Sequence, residues 1–358
     1  MRVFILKPDA IGDFILATGC IRLLARELSE KNLIIAVRAD VAPLAKAQFP
    51  QAEVIPLPLK EKRRLVNLAT VNVINSLPAW LRLLTLRVDA AICLRSMRAY
   101  LHTITFYLPR AKHRIACQNL LLANPRMRRP AVENFVRYAF KPTLIPYPPP
   151  GRLPTDIEAN RLVAEEVLQR KVSDEEILPT LTPPREVSAK NHWLLCPFSS
   201  TTSKDYPAEA WARALKLLDH ERAEAPLHLA AGPSQSDRLQ EFTRTLQSAG
   251  ITNIHLAPPV PLPDFLQSIA EARLVLTVDT AAAHMACALD TPAVIVSAGQ
   301  HPGVYAPYSK TGQQHWIIPQ PGLPKNEWRQ HLHPEKVANS LADMLLTSKS
   351  RHSFEEKS

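Results

Sequence analysis

Short apolar runs alternate with longer stretches of helical periodicity along most of the chain. In the first half, the apolar runs at 3–6, 33–37, 53–57, 90–94 and 114–117 predict β-strands. Helical periodicity is clearest at 14–28 and 65–86. Because parallel strands need a long crossover between them, this alternation predicts βαβ units and a parallel sheet.

The second half repeats the alternation, with strands predicted at 193–196, 227–231, 253–256, 274–278 and 293–297. Helices are predicted between them, around 207–220, 235–249, 263–271 and 281–289. The proline-rich spacer IPYPPPGRLP at 145–154 is too stiff to continue a sheet.

This pattern predicts an α/β chain with two doubly wound parallel-sheet domains. The first domain is expected at 1–154. The second, preceded by a linker helix near 155–170, is expected at 155–332. Residues 333–358 predict a C-terminal helix, which we expect to pack back on the first domain, followed by a frayed tail.

The composition is that of a water-soluble globular protein, with 46% hydrophobic and 21% charged residues. No stretch reaches the roughly 18 apolar residues that a membrane-spanning helix needs. Lys7, Asp9 and Asp13 interrupt the apolar region that a signal peptide requires. The five cysteines are widely spaced without a Cys-x-x-Cys, which favours reduced thiols and a cytoplasmic location.

Several common cofactor motifs are missing from the sequence. Glycine is scarce, with 9 residues, and there is no Gly-x-Gly-x-x-Gly and no Gly-Lys-Ser/Thr, which excludes the dinucleotide fingerprint and the P-loop. There is no Asp-x-Asp for a metal-bound nucleotide, and His331 and His333 have no third metal ligand nearby. We therefore expect neither a metal nor a resident cofactor.

The net charge of +10 is unevenly distributed. Residues 1–150 hold 23 Lys and Arg against 9 Asp and Glu, a net of +14, which leaves the remainder at −4. The asymmetry favours an anionic partner for the first half: a nucleic acid, a phospholipid surface or a phosphorylated substrate. A solvated basic surface is the alternative, but it leaves the asymmetry unexplained.

The stretch DTAAAHMACAL (279–289) follows a predicted strand and opens a helix. The first N–H groups of such a helix point outward at the carboxyl edge of the sheet, where they suit a phosphate or diphosphate. Thr280 is placed to cap the helix, and His284, one turn in, to donate to a phosphate oxygen. A capped helix with a core-facing histidine is an equally good interpretation.

A second polar stretch, CPFSSTTSKDYPAEAW (196–211), also follows a predicted strand. Its run of hydroxyls at 199–202, its backbone N–H groups and Lys204 suit a diphosphate, whose leaving-group charge the lysine would neutralise. Taken alone, the stretch is better explained as a polar turn with a solvated lysine.

The opening segment KPDAIGDFIL (7–16) places Asp13 in the first turn of a helix, where the helix dipole stabilises a carboxylate. Capping is the default explanation of such an aspartate. A role as a catalytic base needs independent support.

That support comes from six segments in this order: KPDAIGDFILATGCIRLL, ICLRSMRAYL, FSSTTSKDYPAEAW, AAGPSQSDR, DTAAAHMACALDTPAVIVSAGQHPGVYAPY and HPEKVANSLADML. Together they resemble the bacterial ADP-heptose:lipopolysaccharide heptosyltransferase family, and the resemblance covers nearly the whole chain. It implies the GT-B fold, in which two Rossmann-like domains face each other across a cleft. It also implies an inverting, metal-independent transfer of heptose from ADP-heptose, which is a co-substrate.

The resemblance implies roles for individual residues. Asp13 becomes the base for the acceptor hydroxyl and Asp9 a turn residue. Since Asp13 lies at a helix start, we expect its carboxylate to stay ionised and to be a weak base. Lys204 would stabilise the departing diphosphate. The residues implied to bind the donor are Ser200, Thr201, Thr202, Gly232, Asp279, Thr280, Ala281 and His284.

The implied acceptor is the anionic inner core of lipopolysaccharide. Its carboxylates and phosphates would contact Lys7, Lys62, Arg63, Arg64, Arg95 and Arg98. The segment AWLRLLTLR (79–87) either rests on the cytoplasmic face of the inner membrane or packs on the sheet with its arginines at the rim, and the second is favoured. Nucleic acid is disfavoured, because the basic half lacks interleaved aromatic residues and a helix-turn-helix signature.

The chain departs from the family pattern at three places. Ala281 replaces the glycine that usually follows Asp-Thr, Cys93-Leu94 stands where Asp-Leu is common, and Cys196-Pro197-Phe198 stands where His-Pro-Gly is common. The implied fold is unaffected. Another donor sugar, a protein acceptor or a non-catalytic nucleotide-sugar binder remain open as alternatives.

Overall fold

The computed structural model describes residues 1–58, 73–98, 100–118, 138–146, 154–188, 191–218, 225–299, 304–305, 307–320, 322–323 and 327–355. Contacts within the chain divide it into two compact units. The first comprises Met1–Leu181 with Gly303–Ala306, and the second comprises Thr182–Pro302 with Pro307–Ser358. Each unit is built on its own six-stranded sheet.

The first sheet is wholly parallel. Its strands are β1 (Val3–Lys7), β2 (Leu33–Arg38), β3 (Glu53–Leu57), β4 (Arg87–Cys93), β5 (Arg110–Cys117) and β6 (Thr143–Ile145). They lie in the order β3-β2-β1-β4-β5-β6. All five residues of β1 are buried, as expected of a central strand covered on both faces. Because the order reverses between β1 and β4, their carboxyl ends form a topological switch point, where α/β proteins bind ligands.

Helices flank this sheet: α1 (Ile11–Leu28), α2 (Ala42–Gln48), α3 (Val73–Thr85), α4 (Tyr100–Tyr107), α5 (Asp156–Leu168) and α6 (Asp174–Ile177). A capping box between Thr155 and Glu158 begins α5, with the Glu158 N–H donating to Thr155 Oγ1 at 3.0 Å. In turn, α5 packs on α1, and the Asn160 amide donates to the Leu16 carbonyl at 3.1 Å.

Close backbone contact holds α1 against the segment that follows α6. A Cβ at Gly19 would lie 2.5 Å from the Leu178 carbonyl oxygen and closer still to that of Ile177. The neighbouring Thr18 Oγ1 accepts a hydrogen bond from the Thr180 N–H at 3.1 Å. Glycine is therefore required at position 19 by close approach of the backbone rather than by its conformation.

The second sheet has the same plan. Its strands are β7 (His192–Cys196), β8 (Leu227–Leu229), β9 (Ile254–Leu256), β10 (Ala272–Val278), β11 (Ala293–Val296) and β12 (Gln314–Ile317). They are parallel in the order β12-β11-β10-β7-β8-β9, so the switch point of this unit lies between β7 and β10. The surrounding helices are α7 (Ala208–Lys216), α8 (Ser236–Ser248), α9 (Leu262–Glu271), α10 (Ala281–Leu289), α11 (Trp328–His331) and α12 (Pro334–Glu355).

Large aromatic side chains fill the core on one face of the second sheet. Trp193, Trp211 and Trp328 are fully buried, and Tyr206 lies among them with its hydroxyl donating to the Leu332 carbonyl at 2.8 Å. A buried tyrosine needs such a partner for its hydroxyl.

These sheets confirm the predicted α/β class and the two doubly wound parallel sheets. Each of the ten strands predicted from apolar runs is present. Two strands were missed, β6 and β12. Both lie at the edge of a sheet, where β6 is only three residues long and β12 contains Gln314 and His315, so neither shows a continuous apolar run.

The units do not divide where the sequence placed the boundary. The prediction separates 1–154 from 155–332, but the first unit extends to Leu181 because α5 packs on α1 and β5. The C-terminal helix α12 also differs from its prediction. It packs on α7, β11 and β12 of the second unit, where Val337, Leu341 and Met344 join the core.

Candidate functional site

The first candidate site lies at the switch point of the first unit, where β1 and β4 end. β1 ends in Lys7, whose side chain is only 1% exposed. The Lys7 ammonium donates to the Leu94 carbonyl at 2.9 Å and to Asp156 Oδ2 at 3.1 Å, and it lies 3.4 Å from Asp9 Oδ2. Burial acts to lower the pKa of Lys7, but Asp156, Asp9 and Asp13 outweigh it and raise this pKa. Lys7 therefore stays charged inside the protein.

A second cation reaches the cluster from the loop after β4. Arg95 forms a close ion pair with Asp9 Oδ1 and donates to the Met97 carbonyl at 2.5 Å. The Ser96 hydroxyl donates to Asp156 Oδ1 at 3.3 Å. Both oxygens of Asp156 are thus engaged, as is Asp9, which the sequence analysis treated as a turn residue.

Asp13 lies in the first turn of α1, half-buried beside this cluster. Its pKa is raised to about 7, chiefly by burial and then by the Asp9 carboxylate, while Lys7 acts in the opposite direction. The expectation that the helix start keeps Asp13 ionised and a weak base is therefore wrong. Removal from water and two neighbouring carboxylates outweigh the dipole.

Two further residues belong to this cluster and were missed. Asp156 begins α5, where sequence reasoning sees only an acidic residue in a first helical turn. Tyr305 approaches from the short segment Gly303–Ala306, and burial together with the Asp13 and Asp156 carboxylates raises its phenol pKa. The available signal was Lys7: a lysine ending a fully apolar strand needs a buried anion.

The predicted acceptor residues do not present free cations where the structure describes them. Lys7 and Arg95 are engaged by carboxylates, and Arg98 is 3% exposed with a guanidinium hydrogen bond of 3.1 Å to the Arg95 carbonyl. Burial thus assigns these three residues to the interior of the site rather than to its rim. Lys62, Arg63 and Arg64 lie outside the described residues.

The second candidate site lies at the switch point of the second unit. Hydrogen bonds and an ion pair hold the loop after β7 in place. The Ser199 N–H donates to Asp205 Oδ1 at 2.7 Å, and Arg238 pairs with Asp205 Oδ2 at 2.6 Å. The Gln235 amide donates to the Ser199 carbonyl at 2.9 Å, and the Trp328 indole donates to the Ser203 carbonyl at 3.0 Å. These contacts fix the backbone and leave the side chains of Ser200, Thr201 and Thr202 exposed.

Lys204 ends the one-turn 3₁₀ helix Thr202–Lys204 and points toward the end of β10. Its Nζ lies 4.0 Å from Asp279 Oδ2. On the other side of this carboxylate, His284 Nε2 lies 4.0 Å from Asp279 Oδ1. The predicted residues Lys204, Asp279 and His284 therefore come together, with Asp279 between two nitrogen groups.

The helix start predicted at this point is present. Thr280 is the N-cap of α10, and its Oγ1 accepts from the Ala282 N–H at 3.2 Å. Asp279, Thr280 and Ala281 are half-buried at the edge of the sheet, so the open N-terminus of α10 lies at the switch point.

His284 is buried, as in the second of its two interpretations, a core-facing histidine. The residue is 6% exposed, its ring stacks on Tyr308 with centroids 5.9 Å apart, and the Tyr308 hydroxyl donates to the His284 carbonyl at 3.2 Å. Its surroundings are those of a buried residue that supports Asp279.

Gly232 follows the end of β8 and is exposed. Its φ of −66° suits any residue, and a Cβ there would meet only Gln235 Oε1 at 3.6 Å. No conformational requirement explains this glycine.

The part of the chain that the structure describes shows neither a metal cluster nor a membrane-spanning helix. No three His, Cys, Asp or Glu side chains there are arranged to hold a metal ion. No helix in the same residues is long and apolar enough to cross a membrane.

The chain is similar to known glycosyltransferases in sequence and in fold. A sequence profile described as glycosyltransferase family 9 (heptosyltransferase) matches residues 102–333. Comparison with curated protein sequences gives no match. Among solved structures, E. coli heptosyltransferase WaaC with ADP is 17% identical, with a TM-score of 0.71 over 96% of this chain and 100% of its own.

Two further structures agree. The complex of the same E. coli enzyme with ADP-2-deoxy-2-fluoro heptose is 16% identical, with a TM-score of 0.68, and the match covers 96% of this chain and 99% of that one. E. coli ADP-heptose lipopolysaccharide heptosyltransferase II is 16% identical, with a TM-score of 0.69, and the match covers 98% of this chain and 100% of that one. At these identities the similarity shows the fold, which is GT-B.

Proposed function

Because the chain belongs to glycosyltransferase family 9, the heptosyltransferase family, we propose that it transfers heptose from ADP-heptose to an inner-core lipopolysaccharide acceptor, with inversion at the anomeric carbon. The observation that carries the proposal is Asp13, a half-buried carboxylate with a pKa of about 7 at the switch point of the first sheet. A base works best when its pKa lies close to the operating pH.

Asp13 would act on the acceptor. Its carboxylate takes the proton of an acceptor hydroxyl while the hydroxyl oxygen forms a bond to the anomeric carbon of the heptose. The bond from that carbon to the diphosphate breaks, and its electron pair leaves with ADP. Attack from the side opposite the leaving group inverts the anomeric centre.

The second unit would hold the donor. The N-terminus of α10 and the exposed hydroxyls of Ser200, Thr201 and Thr202 suit the diphosphate, and the Lys204 ammonium would neutralise charge on the departing ADP. Asp279, half-buried between Lys204 and His284, would accept hydrogen bonds from hydroxyls of the sugar. Gly232 would allow close approach of the nucleoside. We propose that these groups replace a metal ion in the reaction.

The ligands and names of the similar structures support ADP-heptose as the donor. Two of them were solved with ADP or with an ADP-heptose analogue, and a third is called an ADP-heptose lipopolysaccharide heptosyltransferase. The net charge of +14 in residues 1–150 supports an anionic acceptor.

We place the protein at the cytoplasmic face of the inner membrane, and α3 supports this location. As the favoured prediction had it, α3 packs on the sheet, through Leu83, and Arg82 pairs with Glu53 at 2.6 Å. The helix also leaves Leu77, Leu81 and Leu84 about half exposed. Their i, i+4, i+7 spacing places them on one face of α3, where they form an apolar ridge that is available for contact with lipid.

The test is product analysis by mass spectrometry. ADP-heptose and a panel of truncated lipopolysaccharides should give a product heavier by one heptose, and other nucleotide sugars should react more slowly. Transfer from a different nucleotide sugar, or only to a protein, would replace this proposal. Binding of ADP-heptose without any product would make the chain a nucleotide-sugar binder.

Asp13→Asn tests the base. We expect kcat to fall by about 10²- to 10⁴-fold, since general base catalysis contributes that much, while calorimetry shows unchanged affinity for ADP. Asp174→Asn is a matched control, because Asp174 is also in the first turn of a helix but lies on the surface. Near-normal turnover by Asp13→Asn would remove it from the role of base.

A further inference from the structure

Asp13 differs from the two carboxylates beside it in its partners. Three carboxylates, from Asp9, Asp13 and Asp156, lie beside Lys7 and Arg95, and the buried Arg98 donates to the Arg95 carbonyl at 3.1 Å. Asp9 is paired with Arg95 and lies near Lys7, and Asp156 is hydrogen-bonded to Lys7. Among the described residues, none forms an ion pair or hydrogen bond with the Asp13 side chain. Asp13 is therefore the carboxylate of this cluster that has no ion-pair partner among these residues.

This arrangement depends on Asp156. It is 7% exposed and comes from a distant part of the chain, and its backbone N–H donates to the Val304 carbonyl at 2.9 Å. One of its oxygens accepts from the Lys7 ammonium and the other from the Ser96 hydroxyl. Asp156 thus holds the buried ammonium toward α5. Without this carboxylate, Asp13 would compete for Lys7.

We propose that Asp156 is a positioning residue for the transfer reaction: it retains the Lys7 ammonium, so that Asp13 stays unpaired and able to accept a proton from the acceptor. This inference rests on the proposed role of Asp13 as the base. When the acceptor hydroxyl gives its proton to Asp13, a buried negative charge beside the Asp9 and Asp156 carboxylates is neutralised. Burial and the repulsion by these two carboxylates therefore make Asp13 a stronger base than an ordinary aspartate.

The groups that face Asp13 predict opposite effects of two substitutions. Lys7 and Asp9 come from β1 and the loop after it, and Arg95 comes from the loop after β4. Asp156 begins α5, and Tyr305 comes from the segment Gly303–Ala306. Asp156→Asn removes a repelling carboxylate and releases Lys7, and both changes lower the pKa of Asp13. Lys7→Met removes an attracting cation and raises it.

The experiment is the pH dependence of kcat/KM. In the unaltered enzyme the rate should rise with pH through about 7 and then level off. Asp156→Asn should move this acid limb about one unit lower and reduce the plateau several-fold, because the base is weaker. Lys7→Met should move the limb to higher pH. Asp156→Glu, which keeps the charge, should restore the position found in the unaltered enzyme, and Asp174→Asn should not move it.

A limb unmoved by Asp156→Asn, in an enzyme that Asp13→Asn inactivates, overturns the positioning role and leaves the proposed function intact. If Asp13→Asn instead retains turnover, the base assignment fails. The competition of Asp13 and Asp156 for Lys7 is measured apart from turnover by ¹³C NMR titration of the free protein, in which the Asp13 carboxyl signal is the one that is absent from Asp13→Asn. A lower pKa in Asp156→Asn than in the unaltered protein supports the charge competition, and an equal pKa overturns it.

Discussion

A carboxylate that is kept uncharged up to neutral pH costs the folded state free energy when it ionises. Asp13 has an ordinary pKa of 3.8 and a folded pKa of about 7. Between these two values the folded protein binds the proton more tightly than the unfolded chain does. The folded state therefore has its full stability below about pH 4, where Asp13 is protonated in both states. This contribution to the free energy of unfolding is lost as the pH rises through 7.

Asp13→Asn should consequently make the protein more stable at pH 8 while making it inactive. We expect a gain of about 1 to 2 kcal/mol in the free energy of unfolding, reduced from the full shift because Asp13 is partly exposed. The gain should vanish near pH 4. Urea unfolding of both proteins at pH 4.5 and pH 8 gives the gain in unfolding free energy at each pH. A gain that is no larger at pH 8 than at pH 4.5 contradicts the raised pKa of Asp13.

At the scale of single elements, apolar runs predicted the buried strands because a central parallel strand needs no polar face. The same reasoning predicted that the loop after β7 and the start of α10 each follow a strand, and the family resemblance implied that both bind the donor. It could not find Asp156, whose partner Lys7 lies 149 residues away in sequence. Nor did it show that Arg98 is buried, because Arg98 follows β4 in a polar loop, where the sequence pattern does not indicate burial.

The sequence of helix α3 allowed two interpretations, contact with the membrane and packing on the sheet. It packs on the sheet and still exposes the ridge of Leu77, Leu81 and Leu84. Replacing all three by serine should weaken binding to vesicles of anionic phospholipid by at least about tenfold, since each half-buried leucine contributes on the order of 1 kcal/mol.

The matched control replaces three leucines of the second unit, Leu217, Leu256 and Leu346, which are about half to two-thirds exposed. Co-sedimentation with vesicles should be unchanged in this control. Equal loss of binding in both triple variants would mean that general surface hydrophobicity, and not α3, accounts for binding to the vesicles.

At the scale of the whole molecule, the tryptophans report mainly on one unit. Of the five in the chain, Trp193, Trp211, Trp316 and Trp328 belong to the second unit and only Trp80 to the first. Each unit has its own core, so tryptophan fluorescence follows chiefly the unfolding of the unit proposed to bind the nucleotide.

ADP at about 100 times its dissociation constant should stabilise that transition by about 2.7 kcal/mol, which raises its midpoint by roughly 5–10 °C for a unit of this size. Lys204→Ala should bind ADP more weakly and show a smaller rise at the same concentration. A midpoint that saturating ADP leaves unchanged would move the nucleotide site out of the second unit.

The contact at Gly19 also bears on how this sequence can vary. Any side chain at that position meets the carbonyl groups of Ile177 and Leu178, so a change there requires a compensating shift of a backbone segment more than 150 residues further along the chain. Such a substitution would displace the helix that presents Asp13 without altering any chemical group of the site. Variation at position 19 among related sequences should therefore be found together with insertions, deletions or altered turns around 177–180, and a library for changing acceptor preference should leave this glycine fixed.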